Sequence, residues 1–158
     1  MLLGKKRKLG RKIEAINTGE KLQLTEKIED KDLLLYLGLT NDSNPLYIQH
    51  DFASQTVFEK PVVPTIMLAG IISSAISKYL PGPGTYIKEQ RLKFTKPVFH
   101  YATIEFLLEV TEVDLKNNEV TVRVVATDEK GEAVVEGTIL ANPPQMINQL
   151  TTQAMDNF

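Results

Sequence analysis

Apolar and polar residues change rhythm several times along the chain, and each rhythm predicts an element. Leu22, Leu24 and Ile28 stand at even spacing within Lys21–Ile28, the period of a strand with one buried face. Asp30 then caps a short helix carrying Leu33, Leu34, Leu35 and Leu37, ended by Gly38 or by the polar Thr40–Ser43 stretch. Asn44-Pro45 predicts another helix, with Asn44 as N-cap and Pro45 at the first helical position, running to about Phe58 before Lys60-Pro61 breaks it. Thr65–Leu80 is the most apolar stretch. Its residues Ile66, Met67, Leu68, Ile71, Ile72, Ala75, Ile76 and Leu80 cover most of a helical circumference, so this helix must be surrounded rather than laid on a surface. Pro81-Gly82-Pro83-Gly84 stops it.

Four strands are predicted after that stop: Tyr86–Phe94, Thr103–Val113, Glu119–Thr127 and Glu132–Ala141. Ile104, Phe106, Leu108 and Val110 share one face of the second, and Val120, Val122 and Val124 one face of the third. Leu115–Asn118 and Asp128–Gly131 read as hairpin turns, the latter ending in a glycine suited to positive φ. A sheet of about five antiparallel strands cannot cover its own apolar face, and the apolar helix is the available filling. The expected class is α+β: one long central helix wrapped by a curved antiparallel sheet, over residues 13–141. Residues 1–12 form a basic tip and 142–158 a polar tail.

The 158 residues amount to one domain, and 42% hydrophobic against 24% charged residues is enough to build a core. Cysteine is absent, which excludes disulfide scaffolds, thiolate nucleophiles and cysteine-held zinc or iron–sulfur sites and fits a reducing cytoplasm. With only His50 and His100 available, a multi-histidine metal site within one chain is not expected. Lys5, Lys6, Arg7, Lys8, Arg11 and Lys12 crowd the first twelve residues, leaving 12 basic against 20 acidic residues in the rest. A basic tip on an acidic body can touch anionic lipid or nucleic acid, but more often it is a solvated terminus, so no nucleic-acid partner is expected. The start has no apolar run fit for a signal peptide, and Val62–Leu80 is interrupted by Pro64, three serines and Lys78, so no membrane span is expected.

The densest chemistry is Thr40-Asn41-Asp42-Ser43-Asn44-Pro45-Leu46-Tyr47. It sets a carboxylate just before a helix start, where free N–H groups and the positive dipole end favour negative charge. Taken alone, Asp42 and Asn44 in such a stretch are as readily turn and cap residues.

Asp42-Ser43-Asn44-Pro45-Leu46 resembles the signature of MaoC-like (R)-specific enoyl-CoA hydratases and hydroxyacyl dehydratases. The likeness continues through Ala53, Thr56, Phe58-Glu59-Lys60-Pro61-Val62-Val63 and the apolar helix, then through Pro81-Gly82-Pro83-Gly84, Tyr86, Gln90, Leu92, Phe94 and Pro97-Val98-Phe99. It spans about residues 10–141. The resemblance implies a hot-dog fold, a dimer joined through its sheets, and an acyl tunnel between subunits. It implies reversible syn addition of water to a trans-2-enoyl thioester, carried by CoA or acyl-carrier protein, giving the (R)-3-hydroxyacyl thioester. No cofactor and no metal are implied. By position Asp42 is the catalytic aspartate, Asn44-Pro45 the cap with Asn44 also against substrate, and Ser73 a residue near the acyl pocket. Thr65 and Ile66 open the central helix, where a backbone N–H polarises the thioester carbonyl. Ile72 and Ile76 are expected to set tunnel depth.

The match departs at three places. Tyr47 stands where the family has histidine, Pro64-Thr65 where it has His-Gly, and His100-Tyr101 near a usual Gly-Asp. Tyrosine ionises near 10 and histidine near 6.5, so Tyr47 as a neutral-pH base would need a depression of about 3 units, or ~4 kcal/mol. A neighbouring carboxylate opposes that depression, so Tyr47 is expected to position water or substrate. His50, three residues on, reads either as a displaced base or as an exposed helix residue, and His100 near a strand end has the same two readings. The expected function is therefore a hydratase or dehydratase with an altered site. The alternatives are a catalytically impaired acyl-binding subunit paired with a catalytic paralogue, and a thioesterase on the same fold.

Overall fold

Strands form where the alternation is strictest. β3 (Thr103–Asp114) buries Ile104, Phe106, Leu108 and Val110, and β4 (Glu119–Thr127) buries Val120, Val122, Val124 and Ala126. β5 (Ala133–Asn142), β2 (Tyr86–Phe94) and β1 (Lys21–Lys27) complete an antiparallel sheet in the order β1-β3-β4-β5-β2 in the computed structural model, which describes residues 9–145. The register puts Leu24, Phe106, Ala126, Val135 and Phe94 in one inward row across all five strands. The next row is Leu22, Leu108, Val124, Gly137 and Leu92. Period-2 alternation thus becomes a continuous apolar floor.

On that floor lies α4 (Thr65–Lys78). Leu68, Ile72 and Ile76 recur every four residues and, with Ala69 and Ala75, are its buried positions. The all-round burial expected of this helix is not found within one chain. Ile66 is 57% exposed, and Gly70 faces outward beside it. The sheet reaches only one side of the helix, and the outer apolar stripe is left open.

α1 (Asp30–Thr40) is capped one residue earlier than expected, since Asp30 is already its first helical residue. Glu29 is the N-cap, and it exchanges side-chain-to-backbone bonds with Asp32 in a capping box. Gly38 lies inside the helix, which ends at Asn41 in the left-handed conformation (φ 54°). No residue of α1 is buried, and Leu39 is 86% exposed. The helix expected from Asn44 to about Phe58 is two short turns, α2 (Pro45–Ile48) and α3 (His50–Ala53). Gln49 between them takes extended backbone (φ −114°, ψ 108°), which interrupts the helical hydrogen bonds.

At the amino end, Gly10 N–H donates to the Pro83 carbonyl (2.7 Å) and Arg11 N–H to that of Pro81 (3.1 Å). A side chain at position 10 would lie 2.7 Å from Gly82 C and Pro83 O, so only glycine fits there. Lys5, Lys6, Arg7 and Lys8 of the basic tip lie outside the described residues, as does the tail beyond 145. Asn142 Nδ2 donates to the Asn118 carbonyl (2.8 Å), and Asn118 Nδ2 to that of Pro143 (2.9 Å), tying the start of the tail to the β3–β4 turn. Among the described residues no helix is long and apolar enough to cross a membrane.

Candidate active site

The acidic loop is built by the end of α1. Because Asn41 turns the chain back in the left-handed conformation, Asp42 returns to the last turn of the helix it has just left. There its Oδ2 accepts the Tyr36 hydroxyl (2.7 Å), while Oδ1 accepts the Asn44 N–H (3.0 Å). Thr40 Oγ1 donates to the Tyr36 carbonyl (2.8 Å) and accepts the Asp42 N–H (3.3 Å). The Tyr36 hydroxyl, and after it the Asn44 N–H, hold the Asp42 carboxyl below the ordinary carboxylate range. Reciprocally, Asp42 pushes the Tyr36 phenol up. At neutral pH the pair is therefore an anionic carboxylate beside a neutral phenol.

Asn44, expected against substrate, is exposed and caps α2, its Oδ1 accepting the Leu46 N–H (3.0 Å). Tyr36 is a residue the sequence reading did not single out. It sits in the run Leu33–Leu39, and its only signal is a polar-tipped ring one turn before Thr40 and six residues before the carboxylate.

Three clefts meet around the first turn of α4. The largest, about 590 Å³, runs between α1, β1 and α4 and is lined by Tyr36, Thr40, Leu39, Leu24, Ile66 and Met67, among others. On the other flank of α4, an open cleft of about 400 Å³ is lined by Thr65, Ile66 and Ser73 with Gln90, Leu92 and Phe94 of β2, among others. A third, of about 300 Å³, includes Tyr47, Phe58, Thr65, Phe94 and Lys96. Thr65 and Phe94 border both of the smaller clefts, and Ile66 borders both of the larger ones. Thr65, Ile66 and Ser73 are thus brought together, Tyr47 adjoins them through Thr65, and Asp42 is linked to the largest cleft through Tyr36. Ile72 and Ile76 are fully buried against the sheet and line none of these three clefts.

Pro64 precedes α4 without a side-chain cap, and its carbonyl accepts the Met67 N–H (3.0 Å). The N–H groups of Thr65 and Ile66, the first of the helix, have no acceptor among the described residues. They present donors and the positive dipole end at the junction of the clefts. Neither histidine enters this region. His50 is exposed beyond the break at Gln49, so it does not share a helical face with Tyr47. His100 lines a separate cleft of about 410 Å³ with Lys60, Asp128 and Glu129, both its ring nitrogens buried and unpartnered among the described residues.

Residues 12–130 match the family described as MaoC like domain. The chain is 35% identical over 124 residues to an (R)-specific enoyl-CoA hydratase of Rhodospirillum rubrum, covering 78% of this chain and 85% of that one. It is 30% identical to a 3-hydroxybutyryl-CoA dehydratase of Methylorubrum extorquens over 77% of each. Among solved structures it is similar to the (R)-hydratase of A. caviae, with TM-score 0.79 and 27% identity, covering 83% of this chain and 99% of that one. That likeness extends to the helix-and-sheet arrangement described above, the hot-dog fold.

Proposed function

Because this chain belongs to the MaoC-like dehydratase family, we propose that it catalyses the reversible hydration of trans-2-enoyl thioesters to (R)-3-hydroxyacyl thioesters, with Asp42 as the base. The observation that carries the reading is the ionised Asp42 carboxylate, held by two donors and linked through Tyr36 to a cleft that the first turn of α4 also lines. Water gives its oxygen to C3 of the enoyl group and a proton to Asp42. The protonated carboxyl then returns that proton to C2. One group serving both steps delivers both atoms from one face, which is the syn outcome. Electron density moving onto the thioester oxygen is met by the free N–H groups of Thr65 and Ile66, in the manner of an oxyanion hole. Tyr47, on the cleft with Thr65, donates to water or substrate and does not act as the base.

The acyl carrier is CoA in this reading, supported by the names of the two curated relatives. The working form is a pair of identical chains in the cytoplasm. A pair is supported by the leucines of α1 and by Ile66, which one chain leaves in water and a second chain can cover. Tyr47 and Pro64-Thr65 at the family's histidine positions favour the second reading, an acyl-binding subunit that relies on a catalytic paralogue.

The test follows loss of enoyl absorbance when the purified chain meets trans-2-enoyl-CoAs, with Asp42→Asn as control. Turnover that falls about 10²- to 10⁴-fold in the variant is the expected result. Saturable binding without turnover establishes the second reading, and equal turnover in the variant removes Asp42 from the chemistry.

A further inference from the structure

We propose that Tyr36 is a positioning residue for the hydration step, its hydroxyl and not that of Tyr47 being the partner that orients the Asp42 carboxylate toward water. The proposal rests on the reading of Asp42 as the base.

The grip on Asp42 is double. Tyr36 Oη donates to Oδ2 at 2.7 Å, and the Tyr36 carbonyl accepts from the Thr40 hydroxyl that in turn accepts the Asp42 N–H. Side chain and main chain of one residue therefore close a ring on the aspartate. A carboxylate offers about four lone-pair positions. The Asn44 N–H takes one on Oδ1 and the phenol one on Oδ2, so both oxygens are tied, the plane is set, and positions remain for a water. Tyr47 lies near enough to Tyr36 to add to the rise of its phenol, but its hydroxyl has no hydrogen bond among the described residues, and Asp42 is held by Tyr36 and the Asn44 N–H.

The ring of Tyr36 borders the 590 Å³ cleft beside Ile66 and Met67 of the first turn of α4, so it stands at the rim where an enoyl group and its water would meet. Other charged and titratable groups on that cleft are Glu26 and Lys27 of β1, Asp32 of α1, and Lys78 and Tyr79 of α4. Only Tyr36 among them bonds to Asp42. A hydrogen bond to an ionised group is stronger than one between neutral partners, so a phenol serves here better than the aliphatic residues around it in α1.

The test uses the whole chain with aspartate carboxyls labelled with carbon-13. In Tyr36→Phe, kcat for trans-2-enoyl-CoA hydration is expected to fall about ten- to a hundred-fold with KM nearly unchanged. The Asp42 carboxyl is expected to titrate at higher pH than in the wild type. Tyr47→Phe is expected to leave that titration where it is, and thermal melting checks that each variant is folded. An unmoved Asp42 titration in folded Tyr36→Phe overturns the assignment, as does a shift in Tyr47→Phe as large as that in Tyr36→Phe. Turnover that survives Asp42→Asn instead removes Asp42 as the base, the reading this proposal rests on, whatever Tyr36→Phe does to the titration.

Discussion

Gln90 Nε2 on the edge strand β2 donates to Ser73 Oγ on the central helix at 2.8 Å, spanning the cleft that Thr65 and Ile66 also line. Gln90 pairs with Ile139 in the sheet, so its side chain leaves the strand on the same face as the core row. One polar contact therefore bridges the helix and the edge strand across this cleft.

Ser73→Ala removes this bond while the cleft stays open to solvent. Unfolding free energy is expected to change by less than about 1 kcal/mol, because an exposed hydrogen bond contributes little net. KM for enoyl-CoA is expected to rise more than kcat falls. Urea titration and steady-state kinetics on one preparation separate the two.

Gly137 is a different constraint. A Cβ there would stand 2.0 Å from the Arg91 carbonyl oxygen and 2.9 Å from Leu92 Cα, both backbone atoms of the paired strand. Gly137→Ala must push β2 away from β5, and a loss of about 2–3 kcal/mol in urea unfolding is expected.

Asn44→Ala distinguishes a cap from a substrate contact. Loss of the bond to the Leu46 N–H is expected to cost about 1 kcal/mol in stability. KM is expected to hold steady. A large rise in KM with unchanged melting would return Asn44 to the binding site.

The pH profile identifies the base. Asp42 lies below the ordinary carboxylate range because of Tyr36 and the Asn44 N–H, so the ionised form persists as pH falls and is lost only on passing that lowered value. kcat/KM is accordingly expected to be flat from pH 8 down to about 5. A break near about 6.5 would instead indicate a histidine base. The sign for stability is the same: the contribution of the Tyr36–Asp42 contact is complete above the unfolded aspartate pKa and disappears as pH drops through the folded one.

Legibility followed locality. Glu119–Thr127 reads directly as β4, because valines at 120, 122 and 124 leave one face no alternative to the core. Ile66 and Ser73 share one cleft because seven residues bring a helix back to nearly the same face. The break at Gln49 has no such marker. Its extended φ is open to any residue, and neither proline nor glycine stands there. Tyr36 was hidden for a related reason: its bond to Asp42 depends on Asn41 adopting positive φ, a choice that sequence pattern does not display. The outer face of α4 misled in the opposite direction, since apolarity all round a helix does not tell whether its cover comes from the same chain.

The seating of Gly10 and Arg11 on Pro81 and Pro83 bears on how this protein can be handled. The fourteen residues of α4 make a rod about 21 Å long, with the free N–H groups at Thr65 at one end and this proline loop just beyond the other. That length is more than twice the screening distance of about 8 Å at physiological salt, so Arg11 and Lys12 are largely screened from the Thr65 end. A tether placed ahead of Gly10 acts at the far end of the rod from Thr65. Surface immobilisation through that side leaves the Thr65 end facing the bulk solution.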